Sequence, residues 1–286
     1  MIYLTGDLHD MSLKSGNQQH CLKKYGLTEL EVTHKYLQLL EEKDVKVTFF
    51  VTGKSFKDEW QTLKPICESP NVELGGHTWN CYLSPWCELT GLRLLPDFWA
   101  RFWNKFSNSY NGPKWYHNRD TKKTIQIIKE KTGKTINLWR HHMYMHGKYS
   151  EEIMIQNNIS LISDGVVKDA KGPELIKDSL FSFPINIIPD HEHLIHAERT
   201  PEWIAQWQKR YNWSDDYGSD SYHIEEWTEM VLKGLKEREA KGIPSLLIIH
   251  PITMYLCDEF KHFKKILDYI ASCENEFLSH SLEAVK

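Results

Sequence analysis

The chain has 286 residues, 41% of them hydrophobic and 26% charged, the balance of a globular protein with enough apolar side chains for a sizeable core. Lys and Arg number 35 against 39 Asp and Glu, a formal charge of −4, so the basic footprint of a nucleic-acid binder is missing. No run approaches the ~18 apolar residues of a membrane span, and Met1 to Leu8 lacks the basic and long apolar regions of an export signal. A cytoplasmic location is therefore expected, with the six scattered cysteines as free thiols in a reducing compartment.

Along the chain, Ile2 to Thr5 reads as a short apolar strand that breaks at Gly6 and delivers Asp7, His9 and Asp10 to its end. Thr28 and Glu31 have capping-box spacing, and Val32, Tyr36, Leu39 and Leu40 recur at helical period. Val45 to Val51 is β-branched and aromatic, a buried strand. A helix is expected around Phe56 to Cys67, then a strand over Val72 to Leu74 that turns at Gly75-Gly76 and ends on His77. Lys122 to Lys131 suits a helix stopped by Gly133, followed by a strand over Ile136 to Trp139 and a loop from Arg140. A helix starting at Ser150 leads to a strand over Ile159 to Ile162, and Phe181 to Ile188 reads as an edge or bulged strand because of Pro184. The last units are a helix over His223 to Ala240, a strand over Leu246 to Ile249 and a helix near Asp258 to Ser272.

Strands alternating with helices predict a parallel sheet, and this many units suit one α/β barrel, taken as a single domain over residues 1–286. Asp7, His77, Arg140, Asp190 and His250 each follow a strand, and in a parallel barrel those ends converge on one mouth. Two aromatic-rich stretches, about Cys81 to Asn118 and Asp190 to Tyr222, break the rhythm and read as substrate-covering insertions or local core.

Asp7 and His9 stand at i and i+2, on one face of an extended backbone, which suits a divalent metal or a base held by a neighbour. His77 with Cys81, one helical turn on, could share a cation. Arg140 could hold a carboxylate such as Asp7 ionised, and His250 is sited for proton transfer near neutral pH. Asp190 to His193 alternates acids and histidines, or forms a solvated turn.

The ordered set resembles the polysaccharide deacetylase superfamily, the NodB-homology fold of carbohydrate esterase family 4. Leu4-Thr5-Gly6-Asp7 looks like that family's Thr-Phe-Asp-Asp-Gly motif, and Val47 to Gly53 like its Ala-Thr-Phe-Phe strand. Glu73 to Thr78 is similar to the segment entering its His-Ser/Thr-x-x-His motif. Trp139-Arg140 looks like the start of Arg-x-Pro, and Leu247 to His250 like the closing strand and histidine.

The resemblance implies a distorted (β/α)7-type barrel and metal-assisted removal of an acyl group from an amino sugar, with Zn2+ the usual cation. It makes Asp7 the base, His250 the acid and Arg140 the residue that aligns Asp7; His142, Asp190 and Trp79 are the expected substrate contacts. Three positions depart from the family: Leu8 replaces the second aspartate, Cys81 the second histidine and His142 the proline. The expected ligands are Asp7, His9 and His77, with His142 or Cys81 as a further donor; Asp7 then acts more as ligand than base, and Asp10 or Asp190 takes the proton. The partner is a carbohydrate, as a sugar nucleotide, lipid-linked sugar or glycan. Two other readings stay open: a metal-free amidohydrolase on a small cyclic amide, and a non-catalytic glycan-binding module.

Overall fold

The computed structural model describes residues 1–9, 26–80, 111–144, 146–197, 199–211 and 213–285. At its centre β1 (Ile2–Leu8) is buried along its whole length, paired in parallel with β2 (Val47–Thr52) on one side and β8 (Ser245–Ile248) on the other. Beyond β2 the parallel pairing continues through β3 (Val72–His77), β4 (Leu138–Arg140), β5 (Leu161–Ile162) and β7 (Leu180–Ser182). The outermost strand, β6 (Glu174–Lys177), pairs antiparallel with β7, giving the order β6-β7-β5-β4-β3-β2-β1-β8. Among the described residues, seven parallel strands on a curled sheet, with helices between them, make the distorted (β/α) barrel that the sequence predicts.

β7 and β8 do not share a ladder; the seam between them is bridged through Asn186. Its backbone N–H donates to Leu246 O at 3.0 Å, and its Oδ1 accepts from Leu246 N at 2.8 Å. Its Nδ2 donates to Ala170 O and Pro244 O at 3.0 and 3.2 Å.

The helices pack outside. α1 (Glu29–Glu41) starts at the predicted capping box, Glu31 N donating to Thr28 Oγ1 and Thr28 N to Glu31 Oε2. Its inner face carries Leu30, Tyr36 and Leu40, and Tyr36 stacks on Phe263 of the last helix at a centroid distance of 4.4 Å. α2 (Gly53–Asp58) and α3 (Trp60–Glu68) replace the one helix expected there, because Glu59 leaves helical dihedrals at φ −128°. α4 (Lys114–Thr132) ends at Gly133 in the left-handed region, φ 72°, as the sequence predicts, but starts earlier than expected. α5 (Ser150–Gln156), α6 (Asp190–His193), α7 (Pro201–Tyr211), α8 (Ile224–Ala240), α9 (Pro251–Asp258) and α10 (Lys261–Ala271) complete the α-helices among the described residues. Among the described residues no helix is long and apolar enough to cross a membrane.

Several boundaries differ from the sequence reading, for packing reasons. β1 runs through Gly6 to Leu8, since a Cβ at Gly6 would meet Ile249 O and the Phe49 ring, both at 3.0 Å. β3 likewise runs straight through Gly75 and Gly76 to His77 instead of turning. The glycines make room for aromatic rings: added Cβ atoms would lie 2.5 Å from Phe50 and 2.3 Å from Trp139. The strand expected over Phe181 to Ile188 is cut to Leu180–Ser182, and an unforeseen β6 joins its edge. Asp190 to His193 is one helical turn, not an alternating segment. Most of the first aromatic stretch, residues 81–110, lies outside the described residues.

Overpacking of this kind typically costs about 1–3 kcal/mol. Gly76→Ala is therefore expected to lower the urea midpoint by that equivalent, since the wholly buried Trp139 ring would have to move. A midpoint equal to the parent's would contradict the packing described.

Candidate active site

Arg140 ends β4 without exposed surface and sends its guanidinium to β1. Nη1 donates to Asp7 Oδ1 at 2.9 Å, Nη2 to Thr5 Oγ1 at 3.0 Å and Ser163 Oγ at 2.8 Å, and Nε to Ser163 O at 3.0 Å. The plane sits 4.3 Å from the centroid of Phe50, which supports it by a cation–π contact. Burial alone would raise the Asp7 pKa, but Arg140 and the His77, His250 and His9 imidazoles outweigh it and bring it down to about 2. Asp7 is thus ionised at neutral pH. Its Oδ2 faces His77 Nε2 at 3.9 Å.

His9, His77 and His142 meet beside that carboxylate. Their ring centroids are 5.2, 5.3 and 5.4 Å apart, and the planes cross at 69°, 88° and 71°, three blades around one point. One nitrogen from each lies within 4.8 Å of the other two. His77 Nδ1 donates to Arg140 O at 2.7 Å, which fixes the tautomer and leaves Nε2 unprotonated toward the centre. Withdrawal from water lowers the His77 pKa to about 3 and that of His142 well below its usual value, so both rings are neutral. His9 is held by Glu29 at the start of α1: Oε1 accepts from His9 N at 3.0 Å and lies 3.3 Å from Nδ1.

The donor set fits a divalent cation. His77 Nε2 and His142 Nδ1 stand 3.3 Å apart. Two nitrogens bound to one tetrahedral zinc at ~2.0–2.1 Å would be about that far from each other. A carboxylate behind a ligating imidazole, as Glu29 stands behind His9, is the usual support for such a ligand.

Opposite, His250 follows β8 and Asp190 opens α6. Asp190 Oδ1 accepts from His250 Nδ1 at 2.8 Å and Oδ2 from His250 N at 2.7 Å. Burial pulls the His250 pKa down, yet the Asp190 charge and hydrogen bond, with Asp7 and Glu192 nearby, lift it to about 9. Asp190, His191 and His250 also lie close enough together to suggest a second cation group. Both Asp190 oxygens are already taken by His250, so the arrangement is an acid–base pair. Glu192 is buried with Oε2 unpartnered, and burial raises its pKa to about 7.

The structure therefore gathers Asp7, His9, His77, Arg140, His142, Asp190 and His250, distant in sequence, at one end of the sheet. Trp79 is buried instead against the Gly53 backbone, beneath Lys123 at 3.4 Å from its ring centroid. Cys81 and Asp10 lie outside the described residues. Glu29 was not singled out from the sequence; an acid in the first turn of a helix carries no sign that it reaches a histidine twenty residues upstream.

Residues 25–159 match the family model for polysaccharide deacetylase. Among solved structures, a Mycobacterium smegmatis protein assigned to the polysaccharide deacetylases superposes with a TM-score of 0.65 at 13% identity, over 97% of this chain and 85% of that one. Puue allantoinase gives 0.62 at 11% identity, over 99% and 90%. A Pseudomonas aeruginosa PAO1 protein of the same deacetylase assignment gives 0.53 at 11%, over 97% and 87%. No curated protein sequence matches the chain. Over residues 25–159 the chain is thus similar to the polysaccharide deacetylase family, and its barrel, with the site at the strand ends, is the fold of those solved structures.

Proposed function

We propose that the chain is a metal-dependent amide hydrolase that removes an acetyl or similar acyl group from an amino sugar or glycan precursor. The observation that carries this reading is the meeting of three imidazoles, those of His77 and His142 neutral, beside an ionised Asp7, with a protonated His250 opposite. His9, His77 and His142 would hold the cation, zinc suiting an all-imidazole set best. Bound there, it would polarise the acyl carbonyl and acidify a water.

The chain's own groups supply the proton chemistry. Asp7 Oδ1 is committed to Arg140, so Oδ2 is the oxygen that takes the water's proton. His142 thus serves as third ligand in place of the Asp7 carboxylate expected from sequence, and Asp7 is free to act as base. His250, held at Nδ1 by Asp190, passes its Nε2 proton to the departing nitrogen. Substrates of this chemistry include sugar nucleotides, lipid-linked sugars and glycans on their way to surface polysaccharide. The free thiols of Cys67, Cys257 and Cys273 are in keeping with a cytoplasmic setting.

Elemental analysis of the purified chain is expected to find about one zinc or similar ion per molecule, and chelation to abolish release of acetate from N-acetylated amino sugars. Turnover that survives chelation would instead favour a metal-free amidohydrolase. Asp7→Asn is expected to retain the ion but lose roughly 10²–10⁴-fold in kcat, the usual worth of a positioned base; sugar binding unchanged, with no hydrolysis in either protein, would point to a binding module. In Asp190→Asn the main opposition to burial at His250 is removed, which lowers its pKa from about 9. The alkaline limb of the kcat/KM profile should then move to lower pH, and an unmoved limb would remove His250 from the acid's role.

A further inference from the structure

We propose that Asp164 is a positioning residue for His142: it clasps both ends of the loop that carries this imidazole and so completes the candidate metal centre. The inference rests on reading His9, His77 and His142 as ligands, and adds what holds the third in place.

His142 sits in a tight turn directly after β4. The next two residues, Met143 and Tyr144, adopt φ of 56° and 54°, the left-handed region that a Cβ disfavours. Two such residues in succession persist only where the surroundings dictate them. Asp164, buried two residues past β5, supplies the constraint. Oδ1 accepts from His141 N at 2.8 Å. Oδ2 accepts from His141 Nδ1 at 2.7 Å and, across the turn, lies 3.4 Å from His146 Nδ1. One carboxylate thus binds the residue before His142 and the residue that closes its loop.

The clasp is anchored further. His141 Nε2 meets His117 Nε2 of α4 at 3.0 Å, and Gly147 N donates to Ser150 Oγ at 2.9 Å. His141 is thereby turned outward into the helices while His142 faces His77 at 3.3 Å. Ser150, His141 and Asp164 also stand in the order of a nucleophile triad, with Ser150 Oγ 3.4 Å from His141 Nε2. Both Ser150 and His141 are wholly buried, so no substrate reaches the hydroxyl, and the group acts as a brace.

Zinc affinity, measured on the full chain by competition with a chromophoric chelator, tests this without recourse to turnover. Asp164→Asn keeps the side-chain volume and one acceptor, and should raise the zinc dissociation constant about 10–100-fold, the usual cost of losing a ligand's support. In a His142→Ala background the same change should cost nothing more, because the residue it positions is gone. His146→Ala, at the exposed end of the clasp, should weaken zinc binding by a smaller factor and serves if Asp164→Asn does not fold. Undiminished affinity in Asp164→Asn, or equal weakening with and without His142, would overturn the positioning role alone. A parent chain that binds no zinc, or a His142→Ala variant that binds as tightly as the parent, would instead overturn the ligand assignment on which it stands.

Discussion

The buried Arg140 guanidinium is the constraint on which the site depends. Its side chain crosses two intervening strands to hold Asp7, while its own carbonyl accepts the His77 Nδ1 proton. One residue therefore sets the ionisation of the carboxylate and the tautomer of an imidazole at once. A lysine could not substitute: the four donated bonds to Asp7, Thr5, Ser163 Oγ and Ser163 O need a planar fork with fixed directions. Removing one member of such a buried pair leaves the other charge without compensation, typically at 3–5 kcal/mol, so fold and site are tied to the same contact.

The barrel was legible because its strands are nearly continuous apolar runs followed by a polar residue. That pattern located Asp7, His77, Arg140 and His250 at one mouth, and the structure brings them together. Glycine was less transparent. Gly6, Gly75 and Gly76 suggest turns when read locally, whereas each lies in an extended strand and is needed for the ring of a distant residue. Such a reason is tertiary, and no local pattern contains it. The partners of the site were hidden for the same cause: Glu29 and Asp164 look like ordinary helix-start and loop acids until the chain folds around them.

In the proposed ligand set the departures from the family motifs form a consistent exchange of donors. Leu8 points into the core as the last residue of β1, so the alternation that would present a second aspartate is spent on packing. The chain leaves the strand at His9, and it is Glu29, through a backbone and a ring contact, that aims this imidazole inward. His142, where the family has proline, fills the remaining side of the triangle. An aspartate-containing set would become three imidazole rings, with the Asp7 carboxylate beside them.

The seam through Asn186 has a consequence for proton delivery. Asn186 is matched to Leu246, and Asp190 to His250, the same four-residue offset on each side. A slip of one residue where the barrel wall closes between β7 and β8 would leave that imidazole facing something other than its carboxylate. Closing the wall of the barrel and arming its proposed acid are thus a single act of alignment, performed by one primary amide.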